Sequence, residues 1–149
     1  MRRFIAAGFG VGWIPHRLWG SDNGAGTFGA ALAALAGLAL WRAPAWAGIA
    51  AAGGAVLLSL WAAAPFAVAG QDPGWVVVDE IAGTLCALIG LTAVPWVAAL
   101  VVARLADIFK VLPGVAAAER LPGALGVTID DVLAGGYGLA VGWLLTALL

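Results

Sequence analysis

Long apolar runs, broken by short polar or glycine- and proline-containing stretches, set the pattern of this chain. Thr27–Trp41 is rich in alanine and leucine and can extend to Pro44. Ala45–Ala69 forms a second run, Trp75–Val94 a third, Pro95–Phe109 a fourth and Asp130–Leu149 a fifth. A helix of about 20 mostly apolar residues crosses a hydrocarbon layer. The pattern therefore predicts an all-α integral membrane protein, a polytopic bundle of about four to five membrane helices. Phe4–Ile14 is too short and glycine-rich for a span and predicts an interfacial or re-entrant segment. Val111–Thr128, with Pro113 and Pro122, reads as an interfacial loop. No internal repeat divides the chain, so residues 1–149 are expected to form one domain.

Composition supports the membrane reading. The chain is 64% hydrophobic and only 10% charged, against about 25% charged residues in soluble domains. The net charge of −1 gives no reason to expect nucleic acid as a partner. One cysteine, Cys86, excludes an internal disulfide and reads as a small packing residue. The basic start and short apolar run of MRRFIAAGFGVGW have the look of a signal peptide. No small-residue cleavage pattern follows, and the segment is expected to be retained. Trp13, Trp19, Trp41, Trp46, Trp75 and Trp96 fall mostly near predicted helix ends, as interfacial aromatics do.

Five of the eight acidic side chains lie in or beside apolar runs: Asp79, Glu80, Asp107, Asp130 and Asp131. A carboxylate at the centre of a membrane helix costs roughly 2.5–3.5 kcal/mol on insertion scales, so such groups line polar sites, bind cations or sit near water. If Phe4–Ile14 does not cross, the N-terminus, Gly70–Gly74 and Val111–Thr128 share one side. That side then collects Arg2, Arg3, Arg17, Lys110 and Arg120, which makes it cytoplasmic by the positive-inside rule. In the same topology Asp79-Glu80, the end of the fourth run, Asp130-Asp131 and Gly24–Thr27 all reach one depth.

Arg104, Asp107 and Lys110 are spaced three apart and form a stripe on a helix. Arginine gives bidentate hydrogen bonds to phosphate, and lysine a point charge. Carboxylates are the hard oxygen ligands that Mg²⁺ takes, with water and substrate phosphate completing its shell. Gly26 and Thr27 would let backbone N–H groups approach a phosphate or cap the helix. Each feature also has a plainer reading: Asp130-Asp131 as a helix cap, Asp79-Glu80 as first-turn acids, Arg104–Asp107 as a structural ion pair. A single histidine, His16, excludes two-histidine phosphatase chemistry. No arginine-bearing loop follows Cys86 and no Asp-x-Asp occurs, which argues against cysteine and aspartyl-phosphate phosphatases. The signature of CDP-alcohol phosphotransferases is also absent. Metal-assisted displacement by water is the simplest remaining route. The alternative class is a small cation- or proton-coupled membrane transporter, whose relay would place carboxylates near the midplane or on both sides, whereas a scaffold would need none of this charge.

GFGVGWIP…GAGTFGA, VVVDEIAG, ARLADIFKVLP and GALGVTIDDVLAGG occur in this order. Together they resemble the phosphatidylglycerophosphatase A family of small bacterial membrane proteins, from Gly8 to about Gly136. The elements that carry the resemblance are Asp79-Glu80 with Gly83, Arg104 with Asp107 and Lys110, and Gly126 with Asp130-Asp131. Ala25–Ala30 departs from the family's Pro-Gly-Thr-x-Gly-Ser. His16–Asn23 looks like a polar insert, and Lys110–Pro113 replaces Lys-Pro-Trp-Pro. The resemblance implies Mg²⁺-dependent hydrolysis of phosphatidylglycerophosphate to phosphatidylglycerol at the cytoplasmic face of a bacterial inner membrane. Phosphatidate or an isoprenoid phosphate is the alternative substrate. Asp79, Glu80, Asp130 and Asp131 are the expected metal ligands, and Arg104, Lys110, Gly26 and Thr27 the expected phosphate contacts. Asp79, Asp107 and Asp131 are the expected catalytic carboxylates.

Overall fold

The computed structural model describes residues 1–67 and 73–149, and all secondary structure among them is helical. A short helix α1 (Arg2–Ala6), a 3₁₀ turn (Val11–Trp13) and α2 (Ile14–Trp19) precede the bundle. The bundle itself comprises α3 (Ala25–Ala39), α4 (Ala45–Ala63), α5 (Val78–Ala87), α6 (Ala93–Phe109) and α8 (Ala124–Leu148), with a single turn α7 (Val115–Ala118) before the last. The Gly70–Gly74 loop and the end of the second apolar run lie partly outside the described residues.

The number of spans differs from expectation. Among the described residues only α4 and α8 are long and apolar enough to cross a membrane, so two candidate spans replace the four to five that the apolar runs suggest. At about 1.5 Å per residue, α5 is only about 15 Å long and α3 about 22 Å, against a hydrocarbon core of about 30 Å. The third run fails as one helix because the chain reverses inside it. Gly90 adopts φ 68° and Ala93 φ 53°, and Pro95 then falls in the first turn of α6, where a missing N–H is tolerated. The windows that qualify in α4 and α8 are only 17% and 28% buried. These helices are therefore not the hidden core helices of a water-soluble domain.

Size sorting of side chains agrees. The interior is dominated by alanine and glycine, among them Ala33, Ala62, Ala82 and Ala99, each with no exposed surface. Bulky Leu35, Ile49, Leu57, Val101 and Leu144 point outward. Small residues inside let helices touch backbone to backbone, the packing used where lipid replaces water outside. Short α5 is the centre of this arrangement, packed on α8, α4, α3 and α6. A β-carbon on Gly83 of α5 would strike the Asp131 carbonyl of α8, and one on Gly135 would strike the Gly83 carbonyl. Gly138 stands in the same relation to the Ala99 carbonyl of α6. Ser59 and Thr128, both buried, join α4 to α8 through a 2.8 Å hydroxyl hydrogen bond.

Candidate active site

The first turn of α5 carries Asp79 and Glu80, where a helix dipole favours negative charge. Neither acts as a side-chain cap, since the N-cap is Val77 and no capping hydrogen bond is made. Asp130 and Asp131 are not caps either. Helix α8 begins at Ala124, several residues before them, so both fall inside it. The Gly83–Asp131 contact presses the two helices together at this level. As a result Asp79, Glu80 and Asp131 offer one carboxylate oxygen each within 4.8 Å of one another. Asp79 and Asp131 are 2% and 6% exposed. Carboxylate oxygens of Asp79 and Glu80 within 4.8 Å of each other repel as anions, and a shared proton or a cation between them relieves that repulsion. Burial pushes the Glu80 carboxyl above the ordinary range, although Asp79 and the Arg104 charge pull the other way.

Helix α6 supplies the basic side. Arg104 donates from Nη1 to Asp107 Oδ2 at 2.8 Å, an i,i+3 pair with both side chains largely covered. Its charge reaches Glu80 and Asp131, and Asp107 acts on both as well. Gly26 in the first turn of α3 closes the site. A β-carbon there would collide with Glu80 Oε1 and come within 3.2 Å of Arg104 Nη2. Only glycine lets the α3 backbone lie this close. Thr27, the next residue, is exposed.

Lys110 leaves the predicted stripe. It caps α6 in the left-handed conformation, φ 50° and ψ 30°, which few non-glycine residues adopt. From there Nζ donates to Asp130 Oδ2 at 2.9 Å and pairs with Glu119 Oε1 at 2.7 Å. Burial alone would lower its pKa, but the two carboxylates outweigh burial and raise it well above the ordinary lysine value. Lys110 is thus taken up by Asp130 and Glu119. Asp130 stands beside the three-carboxylate cluster, held by Lys110. Glu119 is the residue that sequence reasoning missed. It sits one residue past α7, and no helical spacing relates it to Lys110 or Asp130. The Lys110→Met variant should unfold earlier, by about 2–3 kcal/mol at the site, because Asp130 is left buried without its cation. Thermal unfolding in detergent checks this, and an unchanged midpoint would show that the pair contributes nothing.

Glu80 Oε2 and Asp130 Oδ1 are buried with no hydrogen-bond partner among the described residues. Five carboxylates (Asp79, Glu80, Asp107, Asp130 and Asp131) are balanced locally by Arg104 and Lys110. An excess of hard oxygen donors with unused lone pairs is a fit for a divalent cation such as Mg²⁺. Cys86 lies one turn beyond Gly83 on α5, half-buried near Gly135, and burial raises its pKa, which keeps the thiol protonated and inert. His16 pairs with Asp22 at 3.2 Å, in the segment before α3.

Three comparisons with known proteins bear on this arrangement. A family model described as phosphatidylglycerophosphatase A matches residues 4–146. A protein of Bacteroides thetaiotaomicron, provisionally named a phosphatidylinositol-3-phosphatase, is 37% identical over 147 residues. That match covers 89% of this chain and 86% of the relative. No solved structure matches.

Proposed function

The chain belongs to the phosphatidylglycerophosphatase A family, and on that premise we propose that it hydrolyses phosphatidylglycerophosphate to phosphatidylglycerol and phosphate, with Mg²⁺ held by Asp79, Glu80 and Asp131. The coarser statement stands without the proposal: this is a membrane-associated lipid phosphatase, a phosphoric monoester hydrolase. The observation that carries the finer reading is the convergence of three carboxylate oxygens within 4.8 Å, with an arginine beside them.

Held by Asp79, Glu80 and Asp131, Mg²⁺ would supply positive charge for the phosphate oxygens and would ease deprotonation of the attacking water. The protein does the rest. Arg104 turns Nη2 toward the space beside Gly26 and binds a phosphate oxygen there, while Nη1 stays on Asp107. Asp107, held through Oδ2, keeps Oδ1 to accept a proton from the attacking water. The water oxygen bonds to phosphorus, the P–O bond to the glycerol oxygen breaks, and Asp107 passes the proton it took from the water to that oxygen, which leaves as the alcohol. Lys110 orients Asp130 at the edge of the cluster. The basic residues Arg2, Arg3, Arg17, Lys110 and Arg120 support a cytoplasmic position for this end. A relay of carboxylates along the bundle loses its basis, because these form one cluster.

The name of the Bacteroides relative favours a second substrate, a phosphoinositide. Both lipids carry a phosphomonoester on a headgroup, so the same centre serves either. The deciding experiment is phosphate release by the purified protein in detergent, offered phosphatidylglycerophosphate, phosphatidylinositol 3-phosphate or phosphatidate, with Mg²⁺ or with chelator. Release from the first, reduced at least about a hundredfold by chelator, is expected. Equal release with chelator would remove the metal from the proposal, and preference for the phosphoinositide would replace the substrate. Arg104→Lys should lower kcat/KM by roughly ten- to a hundredfold at an unchanged unfolding midpoint, because an ammonium cannot hold Asp107 and a phosphate together as the planar fork does. Near-normal kcat/KM in that variant would take Arg104 off the phosphate.

A further inference from the structure

A second polar concavity lies away from the acidic cluster. The segment before α3 folds against the lead-in to α5 and encloses a cleft of about 370 Å³, lined by Arg3, Trp13, His16, Arg17, Asp22 and Trp75. None of the carboxylates of the catalytic proposal lines it. The Arg3 guanidinium lies 5.3 Å from the Trp75 ring centroid, a cation–π arrangement. Asp22, the one acidic group of the cleft, lies 3.2 Å from His16 Nδ1 and is outnumbered by the two arginines of the lining. Arg17 is exposed and makes no ion pair among the described residues. Two arginines and two tryptophans therefore line the cleft.

The surroundings say where this cleft meets its ligand. Phe4, Phe9, Leu18 and Trp19, all on the same N-terminal unit, are 48%, 57%, 66% and 53% exposed. Water-facing loops have no use for four bulky apolar side chains in so short a stretch, whereas a bilayer interface does. Next to them Arg2 stacks 4.7 Å from the ring of Trp61. Trp61 belongs to the last turns of α4, one of the two helices able to cross a membrane. The cleft is thereby fixed at the level where a candidate span ends, the level of lipid headgroups. Basic side chains at that level attract anionic lipid, and aromatics with an N–H donor suit the same boundary.

We propose that the Arg3/Arg17 cleft is a binding site for the phosphate of an anionic phospholipid headgroup, separate from the catalytic centre. It docks the N-terminal unit onto an acidic bilayer and holds α2 beside the start of α3. The site does not depend on the acidic cluster being catalytic. Phosphatidylglycerol is a suitable probe because it is anionic and has no phosphomonoester to hydrolyse.

The test is native mass spectrometry of the full chain in neutral detergent, offered phosphatidylglycerol or phosphatidylcholine with identical acyl chains. Wild type should retain phosphatidylglycerol preferentially. The Arg3→Gln/Arg17→Gln double variant should lose that preference by roughly thirtyfold. Both arginines are exposed, so the variant should fold, which circular dichroism checks. Arg42→Gln, placed between α3 and α4, should keep the preference. Asp79→Asn should keep it too. Loss in Asp79→Asn would assign the lipid to the acidic centre and overturn the proposal. Survival of the preference in the double variant, or its absence in wild type, would overturn it as well. Displacement of the lipid by millimolar inorganic phosphate would make this a free-anion site and not a headgroup site.

Discussion

Asp131→Asn should reduce phosphate release by about a thousandfold or more, while the protein still inserts and folds. Asparagine keeps the shape of the side chain and leaves the Gly83 contact intact, since that contact is made by the Asp131 backbone and β-carbon. What it removes is one of the three carboxylates that converge, and with it a ligand of the proposed Mg²⁺. Weakening the hold on a cation that would act on the reacting phosphate is worth several kcal/mol of barrier, and each 1.36 kcal/mol is tenfold in rate.

The same variant carries a second signature that separates a metal ligand from a structural aspartate. Asp131 lies in a field of like charges from Asp107, Glu80 and Asp130, with Arg104 the opposing charge. Without a bound cation those charges repel, so neutralising one should leave the unfolding midpoint in chelator unchanged or raise it. Wild type should gain stability as Mg²⁺ is added, by mass action on the folded state, and Asp131→Asn should gain little. A variant that retains turnover, or that keeps the full Mg²⁺-dependent shift, would remove Asp131 from the metal site. A fall in stability in chelator would point instead to a structural role.

How much of this centre was legible before the fold follows from the cost of burying charge. Asp79, Glu80, Asp107, Asp130 and Asp131 stood out because each interrupts an apolar run, and apolar runs tolerate a carboxylate only for a reason. Their order and the ends of their runs were enough to bring α5, α6 and α8 to one level. Two things were hidden. The first was length. Hydropathy does not register a chain reversal, so the run Trp75–Val94 looked like one helix although Gly90 and Ala93 take positive φ within it. Short α5, one of the helices that falls below spanning length, follows from that turn. The second was the direction of single side chains. The i,i+3 rule carries Arg104 to Asp107, but Lys110 sits past the last helical turn, where its left-handed backbone swings Nζ to Asp130 and Glu119. Glu119 lies between Lys110 and Asp130 in the chain, but in a loop segment with no spacing to announce it. The start of α8 at Ala124 was hidden for a related reason: Gly123 and Gly126 read as loop, yet Gly126 is there because the Leu121 and Glu119 carbonyls crowd it.

The glycines between helices lead to the second large effect. Gly83→Ala should lower turnover by about a hundredfold and destabilise the protein by roughly 1–3 kcal/mol. The added β-carbon would lie 2.7 Å from the Asp131 carbonyl carbon and 2.9 Å from its β-carbon, besides meeting the carbonyl oxygen directly. These neighbours are backbone and the root of a side chain, so they cannot rotate away, and α5 and α8 must separate. Asp79 and Glu80 ride on one of these helices and Asp131 on the other, so the separation opens the three-carboxylate cluster itself. Misplacing catalytic groups by about 1 Å is enough for a hundredfold loss. Gly136→Ala is the matched control. It lies on α8, one residue beyond Gly135, and a β-carbon there meets nothing within 4 Å. Alanine at that exposed helical position should be neutral or stabilise by up to about 1 kcal/mol. Kinetics and unfolding of the two variants side by side decide the matter. If Gly83→Ala turned over like Gly136→Ala, the close α5–α8 contact would not be what holds the site together.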